Sequence, residues 1–301
     1  MNRRLSDLGP SELDAMTDTM TDAEISAMFG LSRTAATHAR NRMGIRSHAE
    51  KTGKRRYKDA YEIKPGAKRA FSYSKSGANS RYFQSIENSH QAYWLGLLLA
   101  DGWIVTHKSV PTGFALALHE RDMHALRSFE KDLGCAGMIK RTRAGSNLYQ
   151  VKLTAQEAAL DLISWGIVPK KSKVARMPRL SKHLNPHLVR GYFDGDGSVY
   201  ARGNTLSAQF TSGSSELLED LGEILYHEAG IGFTIAEDRA SYVMRLYAKN
   251  AIRLTRYMHG SMSASDIAFD RKLAKFTDYL DSDAGRSWEQ LLSDLDSAPS
   301  R

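Results

Sequence analysis

The apolar positions along the chain follow two different periods, which predicts a mixed α+β fold. Residues 94–100 form a continuous apolar run that Asn88 or Ser89 can cap as a helix. Other stretches have apolar residues at helical spacing: residues 121–133, 155–165, 215–229 and 250–258. Others alternate or are rich in β-branched and aromatic residues, as strands are: residues 103–106, 114–119, 138–143, 148–153, 199–202, 206–211, 233–237 and 242–246. The order helix, two strands, helix, two strands, helix is therefore predicted twice.

Two short stretches, each opening one of these halves, share letters at one constant offset of 95 residues. Residues 94–102 read WLGLLLADG, and residues 189–197 read VRGYFDGDG. The matching pairs are Gly96 and Gly191, Ala100 and Gly195, Asp101 and Asp196, and Gly102 and Gly197. A constant offset indicates that one structural unit has been duplicated within the chain.

Both stretches are predicted to be helices that end at their last glycine. Asn185 is the expected cap of the second helix, with Pro186 in its first turn. Gly102 and Gly197 are expected to supply the left-handed residue that stops each helix. A turn of the sequence Pro-Thr-Gly at residues 111–113 is expected to join the first two strands.

Small residues lie four positions apart on one face of each motif helix, and they would let two helix backbones approach closely. Parallel packing would place Asp101 and Asp196 side by side at the negative ends of two helix macrodipoles. Because this arrangement is unfavourable, a divalent cation would offset the repulsion, and carboxylate oxygens suit Mg²⁺. The small residues are Gly96 with Ala100, and Gly191 with Gly195.

At these residues the chain resembles the LAGLIDADG homing endonucleases in their single-chain, two-motif form. The resemblance covers about residues 81–279. Leu99 stands where the motif usually carries an acid, whereas Asp194 keeps that acid in the second copy. The resemblance implies an α+β fold with two pseudo-symmetric αββαββα repeats that form a DNA-binding saddle of antiparallel sheets.

The resemblance also implies Mg²⁺-dependent hydrolysis of both strands of a DNA duplex, with intron homing as the biological role. Asp101 and Asp196 are the implied metal ligands and catalytic acids, assisted by the backbone carbonyls of Ala100 and Gly195. We expect Mn²⁺ or Ca²⁺ to be able to replace Mg²⁺ in binding. The family often adds a lysine near the attacking water. The candidates are Lys249 first, then Lys171 and Lys272 in the contexts PKKS and DRKL.

Composition and charge limit the classes of partner and cellular location that fit this chain. The chain has 301 residues, a net charge of +8 and one cysteine, which favours a polyanionic partner and excludes a disulfide framework. The longest apolar run is too short to span a bilayer, and the first residues lack a signal peptide's apolar core. We expect a monomeric cytoplasmic protein, in a bacterial, phage or organelle-like setting, that binds a long asymmetric DNA site and no membrane.

The chain is predicted to divide into five parts. Residues 1–47 resemble a helix-turn-helix module, residues 48–84 form a basic linker, residues 85–173 and 174–280 are the two repeats, and residues 281–301 are a tail that is helical near Trp288. In the module, Ala36, Ala39 and Met43 are expected to face inward. The expected DNA contacts before the repeats are Arg33, Thr37, Arg40, Arg55 and Arg56.

The outward faces of the two predicted sheets are the surfaces on which bases could be read. Arginine and glutamine side chains read base edges in the major groove through paired hydrogen bonds. The candidates are Arg141, Arg143, Lys152, Arg202, Gln209, Arg239 and Arg245. Two other functions fit the same fold: a DNA-binding regulator with an inactive LAGLIDADG domain, and an RNA-splicing maturase. The presence of both Asp101 and Asp196 favours the nuclease over the regulator.

Overall fold

The N-terminal region is helical, as predicted. The computed structural model describes residues 4–31, 35–45 and 77–297. The N-terminal helices are α1 (Pro10–Thr19), α2 (Asp22–Met28) and α3 (Ala35–Arg42). The predicted capping pattern starts α2: the Thr21 hydroxyl accepts from the Glu24 N–H at 3.4 Å, and the Thr21 N–H donates to the Glu24 carboxylate at 2.8 Å. The inward-facing alanines of α3 are buried, Ala36 fully and Ala39 to all but 3%.

The first repeat follows the predicted order of elements. In chain order these are α4 (Ser89–Asp101), β1 (Gly102–His107), β2 (Val110–His119), α5 (Met123–Asp132), β3 (Lys140–Arg141), β4 (Leu148–Leu153) and α6 (Gln156–Ser164). Asn88 caps α4 as predicted, because its side chain accepts from the Gln91 N–H at 2.9 Å.

The second repeat has the same order. Its elements are α7 (Asn185–Asp196), β5 (Gly197–Arg202), β6 (Thr205–Ser212), α8 (Ser215–Ala229), β7 (Ile235–Asp238), β8 (Ser241–Tyr247) and α9 (Lys249–His259). Two helices follow: α10 (Asp270–Leu280) and α11 (Asp283–Ser297), which includes Trp288 as predicted. No helix of the described residues is both long and apolar enough to cross a membrane.

Each repeat builds one four-stranded antiparallel sheet with equivalent strand order, β1-β2-β4-β3 and β5-β6-β8-β7. Alternate strand residues such as Phe114, Val151 and Phe210 are buried on the face that packs against helices. The α+β fold of two αββαββα repeats is confirmed. The first strand of each sheet begins at the residue that follows a motif aspartate, since β1 starts at Gly102 and β5 at Gly197.

Helices α4 and α7 pack in parallel with their backbones in direct contact. A Cβ atom on Gly96 would lie 2.0 Å from the carbonyl oxygen of Leu188, and one on Gly191 would lie 2.0 Å from that of Tyr93. Real Cβ contacts are never this short, so only glycine fits at either position. The close approach predicted from the small residues is confirmed.

The predicted helix ends need correction. Gly102 and Gly197 are not left-handed; they have φ −83° and −91° and pass directly into strands. Glycine is required there for space, because a Cβ would lie 2.7 Å from the Leu98 carbonyl oxygen or 2.5 Å from that of Phe193.

Two other local predictions were wrong. Asn185 does not cap α7: it lies inside the helix, and its side chain bonds the Leu180 N–H and the Glu228 carboxylate. Residues 111–113 do not form a turn but belong to β2. The hairpin turns instead at Lys108 and Ser109, both with positive φ, a two-residue turn whose twist matches that of the paired strands.

Candidate active site and nucleic-acid interface

The parallel packing of α4 and α7 brings the ends of the two motif helices together. A Cβ on Gly195 would lie 2.3 Å from Ala100 Cβ and 3.1 Å from the Asp101 carboxylate oxygen Oδ2. Asp101 and Asp196 are each the last residue of their helix, and both side chains are exposed. The two acids therefore meet at one exposed point, next to the first residue of both sheets.

The pKa values of both acids reflect this crowding. Desolvation, together with the charge of Asp101, raises the pKa of Asp196 to about 6. Desolvation also raises the pKa of Asp101, while the charges of Lys272 and Lys171 act in the opposite direction. The pair is thus electrostatically strained without a cation, as carboxylates at two helix C-termini should be.

Each repeat supplies one lysine to the end of its own motif helix. Lys171 Nζ donates to the carbonyl oxygens of Ala100 at 3.0 Å and Gly102 at 2.7 Å. Lys272 Nζ donates to the equivalent oxygens of Gly195 at 3.4 Å and Gly197 at 2.5 Å. Burial lowers the pKa of both lysines, that of Lys272 to about 8. The two lysines are related by the same pseudo-symmetry as the aspartates.

The ranking of the lysine candidates is therefore corrected. Lys249, the first choice from sequence, begins α9 after the last strand of the second repeat. The lysine charges that act most strongly on Asp101 and Asp196 come from Lys171 and Lys272 instead. The sequence ranks Lys249 first because it follows the last strand of the second repeat. The lysines at the motif-helix ends are instead Lys171 and Lys272, because the chain segments that carry them fold back onto those helices.

The donor set fits a hydrated divalent ion. In the described part of the chain, no group of three or more His, Cys, Asp or Glu residues is placed to hold a metal ion. Mg²⁺ needs no such cage, because it is typically held by one or two carboxylates, waters and substrate phosphates. The Ala100 and Gly195 carbonyls already accept from lysine ammonium groups. A second cation there would be repelled, so the two carboxylates are the better ligands.

The outward face of the second sheet carries a row of polar side chains. Ser198, Gln209 and Arg245 are in register across β5, β6 and β8. Arg245 also forms an ion pair of 3.3 Å with Asp238, which orients its guanidinium. Tyr200, Ser207 and Tyr247 form the next row, in which both tyrosines are more than half exposed. Predicted contacts Arg202, Gln209 and Arg245 all lie on this face.

The first sheet presents a different surface. Trp103, Ala115 and Lys152 form one row, and Ala117 and Gln150 lie in another, with Lys140 beside them on β3. Lys152 is exposed on this face as predicted. Arg143 and Arg239 are exposed in the β3–β4 and β7–β8 connections rather than on strands.

The prediction that Arg141 lies on the outward, DNA-facing side of the first sheet is wrong. Arg141 pairs with Tyr149, whose strand neighbour Val151 is buried, so Arg141 lies on the core-side face. Its guanidinium donates to the Tyr149 hydroxyl at 2.7 Å and lies over that ring. Register decides the face, and a shift of one residue exchanges Lys140 and Arg141.

Two N-terminal candidates are also corrected. Thr37 and Arg40 are buried, at 0% and 1% exposure, and both bond the Asp22 carboxylate, the hydroxyl at 2.9 Å and the guanidinium at 3.0 Å. They tie α3 to the first turn of α2 and are unavailable to a DNA groove. Arg33, Arg55 and Arg56 lie outside the described residues.

A buried network, for which the sequence patterns predict no role, surrounds Asp194 of α7. Asp194 is 2% exposed and accepts from the Tyr93 hydroxyl and from the Phe269 N–H, both at 2.8 Å. Desolvation raises the pKa of Asp194 to about 6. The signal was present in the sequence, since Asp194 and Leu99 occupy matching positions of the two motifs.

Comparison with known proteins agrees with the motif assignment. Residues 187–259 match a family model described as a LAGLIDADG-like domain. This part of the second repeat is therefore similar to a LAGLIDADG-like domain, and the resemblance identified from the two motif copies is confirmed. No curated protein matches the chain.

Several solved structures are similar to this chain. I-DmoI in complex with DNA and Mn is 13% identical with a TM-score of 0.42, over 62% of this chain and 100% of that one. The LAGLIDADG meganuclease I-AabMI bound to uncleaved DNA is 15% identical with a TM-score of 0.44, over 69% and 92% of the two chains. The homing endonuclease I-WcaI bound to its DNA recognition sequence is 14% identical with a TM-score of 0.45, over 72% and 97%.

The raised pKa of Asp196 predicts a pH-dependent stability difference. In metal-free protein, Asp196→Asn should gain stability over wild type as pH rises from about 4 to about 6, because the folded acid resists ionisation while the unfolded acid does not. Below this window both states are protonated and the difference should vanish. We expect a gain of about 1 kcal/mol or less, since solvent screens an exposed side chain. Urea unfolding at several pH values measures it; a variant less stable at every pH would contradict it.

Proposed function

We propose that this protein is a Mg²⁺-dependent, site-specific DNA endonuclease of the homing type that cuts both strands of a long asymmetric site as a monomer. The observation that carries the proposal is the pair Asp101 and Asp196, which the parallel packing of α4 and α7 brings to one exposed point. One chain supplies both acids and both sheets, so a second copy is not needed to complete the site.

The residues of the site divide the chemical work. Asp101 and Asp196 would hold the divalent ion, which when bound polarises the scissile phosphate and activates the attacking water. Lys171 and Lys272 lower the pKa of both acids and thereby help to keep them ionised. Their positive charges also favour the approach of a phosphate backbone and stabilise the negative charge that develops on the phosphate.

The outward sheet faces are the proposed reading surfaces. Each sheet starts one residue after a catalytic aspartate, so DNA that contacts the sheets passes the acids. The second sheet offers Arg245, Gln209 and two exposed tyrosines, whereas the first offers Trp103, Gln150 and Lys152. Because these faces have different chemistry, the two half-sites should differ in sequence, and the site should be asymmetric.

Arg245 is expected to read a base. Its guanidinium is exposed, lies on the outward face and is oriented by Asp238, as suits a paired contact to guanine. Arg245→Ala should relax the preference at one base pair by about 1–3 kcal/mol. Selection of bound sequences from a random library, compared for wild type and variant, would show it. The matched control is Arg286→Ala, an exposed arginine of α11 outside the sheets, which should leave the preference unchanged.

The nuclease proposal is tested by a cleavage assay with Mg²⁺ on a library of candidate duplexes that includes the DNA flanking the gene. Double-strand breaks that disappear with EDTA would support it. Tight duplex binding without cleavage in Mg²⁺ or Mn²⁺ would instead indicate a DNA-binding regulator. Binding to structured RNA in preference to duplex DNA would indicate a maturase.

A further inference from the structure

The lysine of the second repeat is held by a segment that crosses between the repeats. Residues 265–271, here called the strap, comprise the end of the α9–α10 connection and the first two residues of α10, and they lead directly to Lys272. Arg190 of α7 is fully buried beneath the strap and donates to the Ile267 carbonyl at 2.9 Å. The path of the strap is therefore fixed by α7, the helix that also carries Asp196.

The first repeat holds the same strap. His90 Nε2 lies 2.9 Å from the Ser265 carbonyl oxygen, and His124 Nε2 lies 3.0 Å from the Ala268 carbonyl oxygen. Arg271 forms an ion pair of 3.1 Å with Asp122, a buried acid of the first repeat.

Asp194 contacts both the strap and the lysine itself. Its buried carboxylate accepts from the Phe269 N–H at 2.8 Å, three residues before Lys272. Its own carbonyl oxygen accepts from Lys272 Nζ at 2.7 Å. The same carboxylate accepts from the Tyr93 hydroxyl of α4, so one side chain joins the strap to both motif helices.

At the matching position of its motif, the first repeat has no hydrogen-bond acceptor equivalent to the Asp194 carboxylate. Leu99 occupies the position that matches Asp194, and a leucine side chain accepts no hydrogen bond. Lys171 follows a left-handed Lys170 and starts a short 3-10 turn, whereas Lys272 lies in the first turn of an α-helix and donates to four carbonyl oxygens. The two lysines therefore occupy equivalent places with unequal support.

We propose that Asp194 is a positioning residue that holds Lys272 through the strap, and that the two halves of the active site therefore depend on it unequally. This inference rests on the proposed nuclease function for its catalytic consequence, but not for its structural one. Loss of Asp194 displaces Lys272 and spares Lys171. Cleavage of the strand served by Lys272 should then fall far more than cleavage of the other strand.

The structural consequence is tested without DNA. Asp194→Leu copies the residue of the first repeat, and Asp194→Asn keeps an oxygen that can accept from Phe269. Acylation of lysines by an N-hydroxysuccinimide ester, read by mass spectrometry, should rise about tenfold at Lys272 in the leucine variant, as local opening exposes the amine. Labelling of Lys171 should not change, and the asparagine variant should restore most of the protection. Hydrogen exchange of the peptide containing Phe269 should follow the same order.

The catalytic consequence is tested with a nicked-product assay on a duplex labelled at both ends. Lys272→Met and Lys171→Met first identify which strand depends on each lysine. Asp194→Leu should slow the Lys272-dependent strand about 10- to 100-fold, the range expected when a catalytic group is misplaced, with much less effect on the other strand. Asp194→Asn should recover most of that loss, whereas a merely structural role would slow both strands in proportion to folded protein.

The outcomes separate the two proposals. Selective exposure of Lys272 with selective loss of one strand supports the positioning role. Unchanged Lys272 labelling in Asp194→Leu, or equal exposure of both lysines, overturns it. If the leucine variant does not fold, Asp194→Asn is compared with Phe269→Ala, a control that destabilises the strap. If Lys272 is then labelled as readily in folded Asp194→Asn as in Phe269→Ala, the positioning role is also overturned. If wild type cleaves no DNA but Lys272 is still selectively exposed, the nuclease proposal fails and the positioning role stands.

Discussion

Replacing either Asp101 or Asp196 by asparagine is expected to lower double-strand cleavage at least about 1,000-fold, a loss of about 4 kcal/mol of transition-state stabilisation. Asparagine keeps the shape of the side chain and removes the charge that would bind the divalent ion. Both side chains are exposed at the helix ends, so neither substitution disturbs the core. Duplex affinity in Ca²⁺ should be unchanged or higher, because removing a negative charge favours approach of a phosphate backbone.

The control for this experiment is Asp278→Asn, which removes an exposed acid from α10. It should cleave and bind as wild type does. Cleavage in Mg²⁺, duplex affinity in Ca²⁺ and the melting temperature without metal are measured for all variants. Full cleavage by a folded Asp101→Asn or Asp196→Asn protein would remove the acids from the chemistry. A loss of melting temperature matching the loss of activity would show that they only support the fold.

The order of elements in the repeats and the pairing of the two acids were predictable because both depend on patterns within short stretches of sequence. Hydrophobic period distinguishes helices from strands, and the constant offset between Asp101 and Asp196 relates the two repeats. Small residues on one helix face then predicted the close packing, which the contacts of Gly96 and Gly191 with the facing backbone confirm. No long-range information was needed for these steps.

The wrong predictions concern residues whose environment is set by contacts with residues distant in sequence. The sequence predicts Arg40 as a DNA contact because it lies on a helix after a turn. In the structure its charge is paired with that of Asp22, 18 residues earlier. Arg141 was assigned to the outward face, but β3 has only two residues and its alternation cannot be read from sequence. Gly102 was assigned a left-handed conformation, whereas its role is to leave space for Leu98.

The lysines show the same limit. Lys171 and Lys272 stand in loops and helix starts far from the motifs in sequence, and only the folded chain returns them to the helix ends. Their contexts indicated a candidate role but gave no ranking over Lys249. Asp194 could have been assigned a role from the mismatch with Leu99, but its partner Phe269 lies 75 residues away.

Gly191→Ala is expected to destabilise the folded protein strongly, by about 3 kcal/mol or more, and Gly96→Ala should act similarly. The added Cβ would lie 2.0 Å from the Tyr93 carbonyl oxygen, and that oxygen belongs to the backbone of the facing helix. A side chain can rotate away from an inserted methyl group, but a packed helix backbone must move as a whole, so the cost should reach or exceed the usual range for overpacking. Because α4 and α7 carry Asp101 and Asp196, moving them apart should also lower cleavage by the remaining folded protein.

The matched control is Gly232→Ala, where an added Cβ meets no atom within 4 Å and the backbone is not left-handed. Urea unfolding at pH 7 should give a free energy of unfolding within about 0.5 kcal/mol of wild type for Gly232→Ala, as for most surface substitutions. Gly191→Ala should instead lower the melting temperature by roughly 6–12 °C, at about 2–4 °C per kcal/mol for a domain of this size. Equal stability of the two variants would mean that the helices are not in backbone contact. The acids would then lose the packing that places them together, and the metal site would have to be sought elsewhere.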